Sequence, residues 1–202
     1  MESEEQWMDE RTLLILKDIQ QFATEHDSRT TEKKEQMLII GEDAGRFLYI
    51  LLSLSHYSTV LELGTGCGYS TIWIAEALRQ RGGIVTTVEW HEQKYLIALE
   101  HFKKAGTETL INPIHGNIGD VLQSFKGKQD VIFLDAVRTY YVDWWRYIDD
   151  ILVPGGLLLV DNTLFPNPDD LIPFFSIIRA CGMYEEVLVP IGKGISLFYK
   201  KN

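Results

Sequence analysis

Hydrophobic positions change their spacing near residue 59. Before that point, apolar residues recur at helical intervals among charged residues, in one stretch that includes Trp7 and Phe22 and in a second that includes Phe47 and Leu52. Capping and turn residues at 27–31 separate the two stretches. The pattern predicts two N-terminal helices within residues 1–55.

From residue 59 onward, short apolar runs alternate with helical patterns. The runs predict strands at 60–63, 84–88, 111–114, 131–134, 157–160, 187–190 and 195–199. The intervening patterns predict helices at 70–81, 92–104, 121–125, 141–152 and 171–181. This alternation is typical of a parallel sheet with helices on both faces. Only residues 192–194 join the last two runs, so these are predicted to form an antiparallel hairpin.

Size and composition favour one domain. The chain has 202 residues, of which 46% are hydrophobic, enough for a single sizeable core. No Pro/Gly/Ser-rich linker divides it. We therefore expect one α/β domain over 1–202, with N-terminal helices in 1–55 and a sheet core in 56–202.

Charge and cysteine content restrict the expected cellular location of the protein and the kinds of partner it is expected to bind. Nineteen basic and 29 acidic residues give a net charge of −10, which repels phosphate backbones and argues against nucleic acid as a partner. No apolar run approaches the ~20 residues that span a bilayer. Residues 1–5 are acidic rather than basic, unlike a signal peptide. Cys67 and Cys181 form no zinc or disulfide pattern, so we expect a cytoplasmic protein without a membrane partner.

A glycine loop follows the first predicted strand. Residues 60–70 read VLELGTGCGYS, with GxGxG spacing and Glu62 inside the strand. Glycine allows tight turns and close approach of a ligand. An acid in the strand is awkward for a phosphate but suits a ligand with a cationic end, such as the amino acid part of S-adenosylmethionine. Ser70 and nearby amides are placed to meet that ligand's carboxylate; a plain tight turn is the alternative.

Polar residues also end the second and third predicted strands. Glu89 lies about twenty residues beyond the glycine loop, where a carboxylate accepts hydrogen bonds from both ribose hydroxyls. Nicotinamide cofactors use the same arrangement, so Glu89 indicates a ribose without naming the cofactor. A solvated acid at a strand end is the alternative. Asn117 follows the third strand and, with nearby amides, is placed to contact a purine.

Three oxygen-bearing side chains follow the fourth and fifth predicted strands: Asp135, Asp161 and Asn162. Carboxylates gathered at one sheet edge repel each other unless a cation lies between them. Two carboxylates and an amide suit a hard ion such as Mg²⁺. The alternative is that both aspartates cap the helices that follow.

Together, these residues resemble the metal-dependent O-methyltransferases of the catechol and caffeoyl-CoA type, from about residue 37 to the C-terminus. Residues 40–48 resemble the family's segment over the methionine part of the cofactor, residues 61–70 its cofactor loop and residues 189–194 its terminal hairpin. The resemblance implies a Rossmann-like, seven-stranded sheet in the order 3-2-1-4-5-7-6, with the last strand antiparallel. It also implies S-adenosylmethionine as cofactor and a homodimer.

The resemblance further implies roles for individual residues. Asp135, Asp161 and Asn162 match the family's metal ligands, for which we expect Mg²⁺. The catalytic residues implied are Asp135 and Arg138. The expected cofactor contacts are Ile40, Glu62, Gly64, Thr65, Gly66, Ser70, Glu89, Asn117, Ile118 and Asp135.

Arg138 departs from the family's pattern. The family usually has a lysine there as general base for the acceptor hydroxyl, whereas arginine stays protonated. We therefore expect the metal to activate the hydroxyl and Arg138 to stabilise or orient the oxyanion. The alternative is a surface cation paired with an acid. Val137 replaces an acidic residue that is common in plant-type members, so the resemblance does not imply that this chain shares their substrate.

The predicted function is S-adenosylmethionine-dependent, metal-assisted O-methylation of a small molecule with a vicinal diol or catechol-like hydroxyl. GxGxG spacing and Glu62 disfavour a nicotinamide-dependent dehydrogenase. The negative charge disfavours methylation of hydroxylated transfer-RNA nucleosides, and the replaced lysine leaves open a non-enzymatic cofactor-binding protein. Aromatic residues are candidates for lining an acceptor pocket, although tryptophans at helical spacing are more often in a core or dimer interface. These residues are Trp90, Tyr140, Tyr141, Trp144 and Trp145.

Overall fold

A seven-stranded sheet runs through the computed structural model, which describes residues 8–202. The strands are β1 (Thr59–Leu63), β2 (Ile84–Glu89), β3 (Ile111–His115), β4 (Gln129–Leu134), β5 (Leu152–Val160), β6 (Tyr184–Val189) and β7 (Ile195–Lys200). Their order is β3-β2-β1-β4-β5-β7-β6. Strands β1 to β5 pair in parallel, and β7 is antiparallel to both β5 and β6. The predicted fold class and strand order are confirmed.

Seven α-helices cover the two faces of the sheet. They are α1 (Glu10–Arg29), α2 (Glu42–Leu54), α3 (Tyr69–Leu78), α4 (Glu92–Ala105), α5 (Ile118–Ser124), α6 (Tyr141–Ile151) and α7 (Ile172–Ala180). Helices α1 to α4 pack on one face, and α5 to α7 pack on the other. Among the helices of residues 8–202, none has both the length and the apolar character needed to cross a bilayer. Trp7 and residues 1–5, used above, lie outside the described residues.

Burial on both faces explains why the central strands read as continuous apolar runs. In β4, Val131 and Phe133 belong to the core on the α1–α4 side, whereas Ile132 and Leu134 belong to the core on the α5–α7 side. All four side chains are fully buried. A parallel sheet covered on both faces favours apolar residues at nearly every position, so a continuous apolar run predicts a central strand.

The segment between α1 and α2, residues 30–41, is tied back to α1. The carboxylate of Asp27 accepts hydrogen bonds from the backbone amides of Met37 (2.7 Å) and Leu38 (3.0 Å). These bonds lower the pKa of Asp27 although partial burial opposes its ionisation. We call residues 30–41 the α1–α2 segment, and it runs toward the carboxyl edge of the sheet.

Several predicted boundaries are wrong. Strand β5 begins at Leu152 rather than 157, because residues 152–156 continue along β4 through a register shift that the apolar pattern does not reveal. Strand β6 begins at Tyr184 rather than 187, since its exposed Glu185 and Glu186 pair with β7 through the backbone. Helix α5 begins at Ile118 rather than 121 because Asn117 caps it. Helix α3 ends at Leu78, and a 3₁₀ turn replaces its predicted last residues.

Candidate cofactor and metal site

The carboxyl ends of β1, β2, β4 and β5 meet at one edge of the sheet, and backbone hydrogen bonds continue between the loops beyond the strands. The amides of Gly64 and Thr65 donate to Val88 O at 3.1 and 3.2 Å. On the other side, the amide of Asp135 donates to Leu63 O and that of Asp161 to Leu134 O, both at 3.0 Å. The candidate residues therefore begin where the sheet ends, on backbone that the sheet holds in place.

Glu62 lies sealed beneath the glycine loop, with no exposed surface. Its carboxylate accepts hydrogen bonds from Ser70 Oγ and Thr87 Oγ1, both at 2.6 Å, and from the Thr71 hydroxyl. Burial raises the pKa of Glu62 to about 7, although the three hydroxyls favour its ionised form. A cationic ligand above the loop would favour ionisation further.

The Ser70 hydroxyl has one proton and donates it to Glu62. It therefore cannot donate at the same time to a ligand carboxylate. The sequence had suggested that second role for Ser70. The free amides at the start of α3 remain available for that carboxylate. Thr71 and Thr87 were not predicted as site residues; the signal was a pair of threonines, Thr86 and Thr87, in an otherwise apolar strand.

Gly64 brings the cofactor loop against the β4 end. Its φ is +108°, a conformation that side chains disfavour, and a Cβ there would lie 1.9 Å from the carbonyl oxygen of Asp135. Any side chain at this position would push the two loops apart. The close approach places the predicted cofactor loop and the predicted metal ligands in one continuous site.

Glu89 is buried and held at both carboxylate oxygens. Oε2 accepts a hydrogen bond from the amide of Gly66 and Oε1 one from the amide of His91, each at 2.8 Å. Only 4% of Glu89 is exposed, which rules out the alternative of a solvated acid. Because each carboxylate oxygen has a further lone pair, Glu89 can still accept hydrogen bonds from a ribose.

Three of the predicted cofactor contacts, Asn117, Ile118 and Ile40, have structural roles of their own. The side chain of Asn117 caps α5, accepting hydrogen bonds from the amides of Gly119 (2.9 Å) and Asp120 (3.4 Å). Ile118 is buried in the core beneath this turn, and Ile40 is buried in the core near α2. The contact expected between the Asn117 side chain and a purine therefore competes with helix capping.

The α1–α2 segment lies against the glycine loop. A Cβ on Gly66 would be 3.4 Å from the carbonyl oxygen of Met37. Glu35 Oε2 lies 3.1 Å from Nε2 of His91, the residue whose amide holds Glu89. The segment therefore contacts both strand ends that carry the predicted cofactor residues.

Asp135, Asp161 and Asn162 converge as predicted from the sequence. The side-chain amide nitrogen of Asn162 donates to Asp135 Oδ1 at 2.9 Å and to Asp161 Oδ2 at 2.7 Å. Burial, Asp161 and Glu62 raise the pKa of Asp135 well above its ordinary value. Burial also raises the pKa of Asp161 to about 6. Both shifts show that this pocket opposes two negative charges without a cation.

This donor set fits a divalent cation. Two carboxylates would bind it, and the Asn162 amide also carries an oxygen acceptor. Within residues 8–202, no group of three or more His, Cys, Asp or Glu side chains is placed to hold a metal. A cation at this edge would therefore need Asn162 together with water or acceptor oxygens to complete its coordination.

Arg138 lies beside the predicted metal ligands but hydrogen-bonds to backbone carbonyls. Its guanidinium donates to the carbonyl oxygens of Asn162, Phe165 and Asn167, the last at 3.1 Å. These bonds hold the loop of residues 161–167, which carries Asp161 and Asn162. The alternative of an ion pair with an acid is not what the structure shows, since all three partners are carbonyls.

The family is decided by a match over most of the chain. Residues 14–168 match the model of a family described as O-methyltransferase. The chain belongs to the O-methyltransferase family. The resemblance stated from the sequence is thereby confirmed.

Known relatives of this O-methyltransferase family member agree. A catechol O-methyltransferase of Niastella koreensis is 31% identical over 129 residues, 62% of this chain and 58% of that protein's length. Another, of Sus scrofa, is 30% identical over 162 residues, 75% of this chain and 83% of that protein. The crystal structure of an O-methyltransferase from Bacillus cereus in complex with SAH has a TM-score of 0.79 at 22% identity. It covers 93% of this chain and 91% of that chain, and shows the same fold.

The aromatic candidates in this O-methyltransferase family member divide between core and surface. Tyr141 and Trp144 are buried in the core, and the Tyr141 hydroxyl bonds both N and O of Ala136 at 2.9 Å. Trp145 packs against the same core. Trp90 and Tyr140 are about half exposed, at 51% and 53%. The helical spacing of the aromatic residues in α6 therefore reflects core packing rather than an acceptor pocket.

Sequence reasoning missed two exposed residues beside the metal ligands. Phe165 follows Asp161 and Asn162 in the loop, and Lys193 lies in the β6–β7 hairpin, with Nζ 5.9 Å from the Phe165 ring centroid. From the sequence, Phe165 had no assigned role, and Lys193 had none beyond the hairpin turn of residues 192–194. No local pattern could have paired them, because 27 residues separate them and only the sheet topology brings them together.

Proposed function

We propose that this chain transfers a methyl group from S-adenosylmethionine to a hydroxyl oxygen of a small acceptor with two adjacent oxygens, such as a catechol, with the help of Mg²⁺. One observation carries the proposal: the predicted metal ligands and the glycine loop are in contact. At Gly64 the two loops approach so closely that a Cβ would lie 1.9 Å from Asp135 O. A ligand over the loop and a cation between the carboxylates would therefore be neighbours.

The cofactor's parts are assigned to the acids of β1 and β2. Glu62 supplies negative charge under the glycine loop for the cationic amino group, and the amides at the start of α3 face the carboxylate. Glu89, held by two backbone amides, accepts hydrogen bonds from the ribose hydroxyls. Neither acid needs to reorient to do so.

The acceptor's two oxygens are assigned to the edge formed by β4 and β5. Asp135, Asp161 and Asn162 would hold the cation, and the acceptor completes its coordination. When bound, S-adenosylmethionine supplies an electrophilic methyl group and the divalent cation lowers the pKa of the acceptor hydroxyl. Holding both reactants at attack distance supplies much of the rate.

Arg138 does not take the acceptor's proton, because a guanidinium stays protonated. It holds the carbonyls of the 161–167 loop and so keeps Asp161 and Asn162 facing Asp135. We infer that the proton leaves to solvent. The homodimer and the cytoplasmic location remain predictions from the sequence.

Transfer of labelled methyl from S-adenosylmethionine to a panel of vicinal diphenols, with Mg²⁺ or with EDTA, tests the proposal. We expect transfer in the presence of Mg²⁺ and none in the presence of EDTA. SAH binding should persist in EDTA. Transfer that continues in EDTA would overturn the metal's part. An absence of transfer to every diphenol would overturn the acceptor class.

A further inference from the structure

The backbone of Lys193 is held at the sheet edge formed by the ends of β4 and β5, where the predicted metal ligands lie. The β6–β7 hairpin is bonded to the loop after β5: the amide of Leu164 donates to Lys193 O at 2.8 Å, and the amide of Thr163 donates to Gly194 O at 3.0 Å. Gly194 has φ +87°, and a Cβ there would lie 2.6 Å from Leu164 Cγ. The backbone of Lys193 is therefore tied to the residues that follow Asp161 and Asn162.

The Lys193 ammonium is exposed, close to an apolar ring and not committed to an acid. Its Nζ lies 5.9 Å from the centroid of Phe165, which is 55% exposed. Within residues 8–202, no carboxylate lies within 4.0 Å of Nζ. The ammonium is therefore available to an anionic group.

Arg138 and Lys193 are two cations at this edge of the sheet, and they differ in what they can still bind. The guanidinium of Arg138 is used by three backbone carbonyls. Lys193 keeps its ammonium free toward solvent at the mouth of the site. In a chain with a net charge of −10, most of the surface repels an anionic ligand, so a free cation beside the acceptor position discriminates by charge.

We propose that Lys193 makes this site select acceptors that carry an anionic substituent on the dihydroxylated ring, the dihydroxybenzoate class, with Phe165 against the ring and Lys193 at the carboxylate. The inference rests on the proposed function and deepens it. The carboxylates of Asp135 and Asp161 together with a divalent cation carry no net charge. They therefore do not cancel the attraction between Lys193 and the carboxylate of the acceptor. Lys193 is thus a specificity residue, and it takes no part in moving the proton.

Equilibrium binding separates selection from chemistry. The Kd of 3,4-dihydroxybenzoate, catechol and 3,4-dihydroxybenzylamine is measured by calorimetry on the full chain with SAH and Mg²⁺, for wild type, Lys193→Gln and Lys193→Arg. We expect Lys193→Gln to weaken the benzoate about tenfold, as for the loss of one charge-assisted contact. The same variant should leave catechol within about twofold and tighten the amine. Lys193→Arg should keep the benzoate preference, since it keeps the charge.

The control is Lys126→Gln, an equal charge change just before β4 at the opposite edge of the sheet, which should leave all three constants unchanged. If Lys193→Gln weakens all three ligands equally, Lys193 only supports the hairpin and selection is overturned. An unchanged ratio of benzoate to catechol also overturns it. Labelled-methyl transfer by wild type keeps the two ideas apart: transfer to catechol with either of those results leaves the proposed function standing, whereas no transfer to any of the three overturns both.

Discussion

The two halves of the sheet's carboxyl edge handle buried acids in opposite ways. In the cofactor half, at the ends of β1 and β2, Glu62 has three hydroxyl donors and Glu89 two backbone amides. In the acceptor half, at the ends of β4 and β5, Asp135 and Asp161 face each other across a single amide, that of Asn162. One half is largely satisfied by the protein itself, whereas in the other, burial and the nearby acids oppose the ionisation of Asp135.

This difference indicates what each half binds. Acids already held by donors are oriented in advance, so a ligand gains from them without reorganising them. Acids that repel each other raise the free energy of the ligand-free site, and a cation that enters removes that cost. This contrast supports the proposal that the cofactor half binds an organic ligand and the acceptor half an ion.

The largest expected effect comes from removing one charge in the acceptor half. Asp135→Asn should lower methyl transfer about a thousandfold, because a metal's contribution to activating an oxygen is several kcal/mol. SAH binding should stay within about threefold, since Glu62 and Glu89 keep their hydrogen-bond donors and only one of the expected cofactor contacts, Asp135, changes. The same variant should raise the melting temperature of the metal-free protein, because a buried carboxyl whose ionisation is opposed is replaced by a neutral amide. Transfer assays, calorimetry and thermal unfolding measure the three quantities.

Asp130 provides the matched control at the opposite edge of the sheet. Its carboxylate accepts hydrogen bonds from the amides of Ser58 (2.8 Å) and Thr59 (2.9 Å), which lower its pKa although burial opposes ionisation. Asp130→Asn should lower the melting temperature and leave transfer unchanged. If the two variants shifted stability in the same direction, the contrast between satisfied and opposed acids would be wrong.

The next effect tests how the acceptor half is held together. Arg138→Lys replaces a planar fork that reaches three carbonyls with a single ammonium. Transfer should fall about tenfold, the loss of one or two charge-assisted bonds, with no new pH dependence. Arg138→Gln should cost at least as much. A rate that rose with pH in Arg138→Lys would instead show that a lysine here acts as a base, and an unchanged rate would contradict both loop holding and oxyanion stabilisation.

Arg138 also shows where prediction from the sequence stops. The strand ends, and so Glu62, Glu89, Asp135, Asp161 and Asn162, could be placed because parallel strands deliver their carboxyl ends to one edge. The partners of those residues could not be placed in the same way. Arg138 bonds to carbonyls of a loop whose path no periodicity encodes, and Lys193 comes from a hairpin on the far side of β5. The sequence predicted too short a strand β6 for the same reason, since backbone pairing with β7 rather than an apolar pattern defines that strand.

A smaller effect is expected from the pH dependence of the cofactor half. The pKa of Glu62 is raised to about 7 by burial, so the acid is mostly protonated at pH 6 and mostly ionised at pH 8. A ligand with a cationic amino group needs the ionised form, and SAH should therefore bind about tenfold more tightly at pH 8 than at pH 6. Glu62→Gln should remove this dependence and resemble wild type at low pH. Calorimetry across this range measures both.

The sign for stability is the reverse. Because the folded pKa lies above the ordinary value of 4.5, the folded state holds the proton more tightly than the unfolded state between pH 4.5 and about 7. Glu62 therefore lowers the free energy of unfolding of the ligand-free protein as pH rises through that window. Denaturant unfolding should show this fall without SAH, whereas saturating SAH, which binds the ionised form, should remove most of it. If stability fell equally with and without SAH, Glu62 would not face the ligand's cation.

The smallest effect concerns how the cofactor half is closed. Glu35, on the α1–α2 segment, contacts His91 at 3.1 Å, and the His91 amide holds Glu89. Such a partly exposed contact is worth about 1 kcal/mol or less, so Glu35→Gln should speed SAH dissociation by up to about fivefold. Glu32→Gln is the control, because Glu32 lies on the same segment and pairs with exposed Lys34.

Stopped-flow dissociation of SAH from the two variants decides the point. The charge change is the same in both, so a faster rate in Glu35→Gln alone assigns the effect to the contact with His91. The cofactor half would then depend on the α1–α2 segment to retain its ligand, while the acceptor half depends on an ion. Equal rates in the two variants would remove the α1–α2 segment from cofactor retention and leave Glu89 held by its two amides alone.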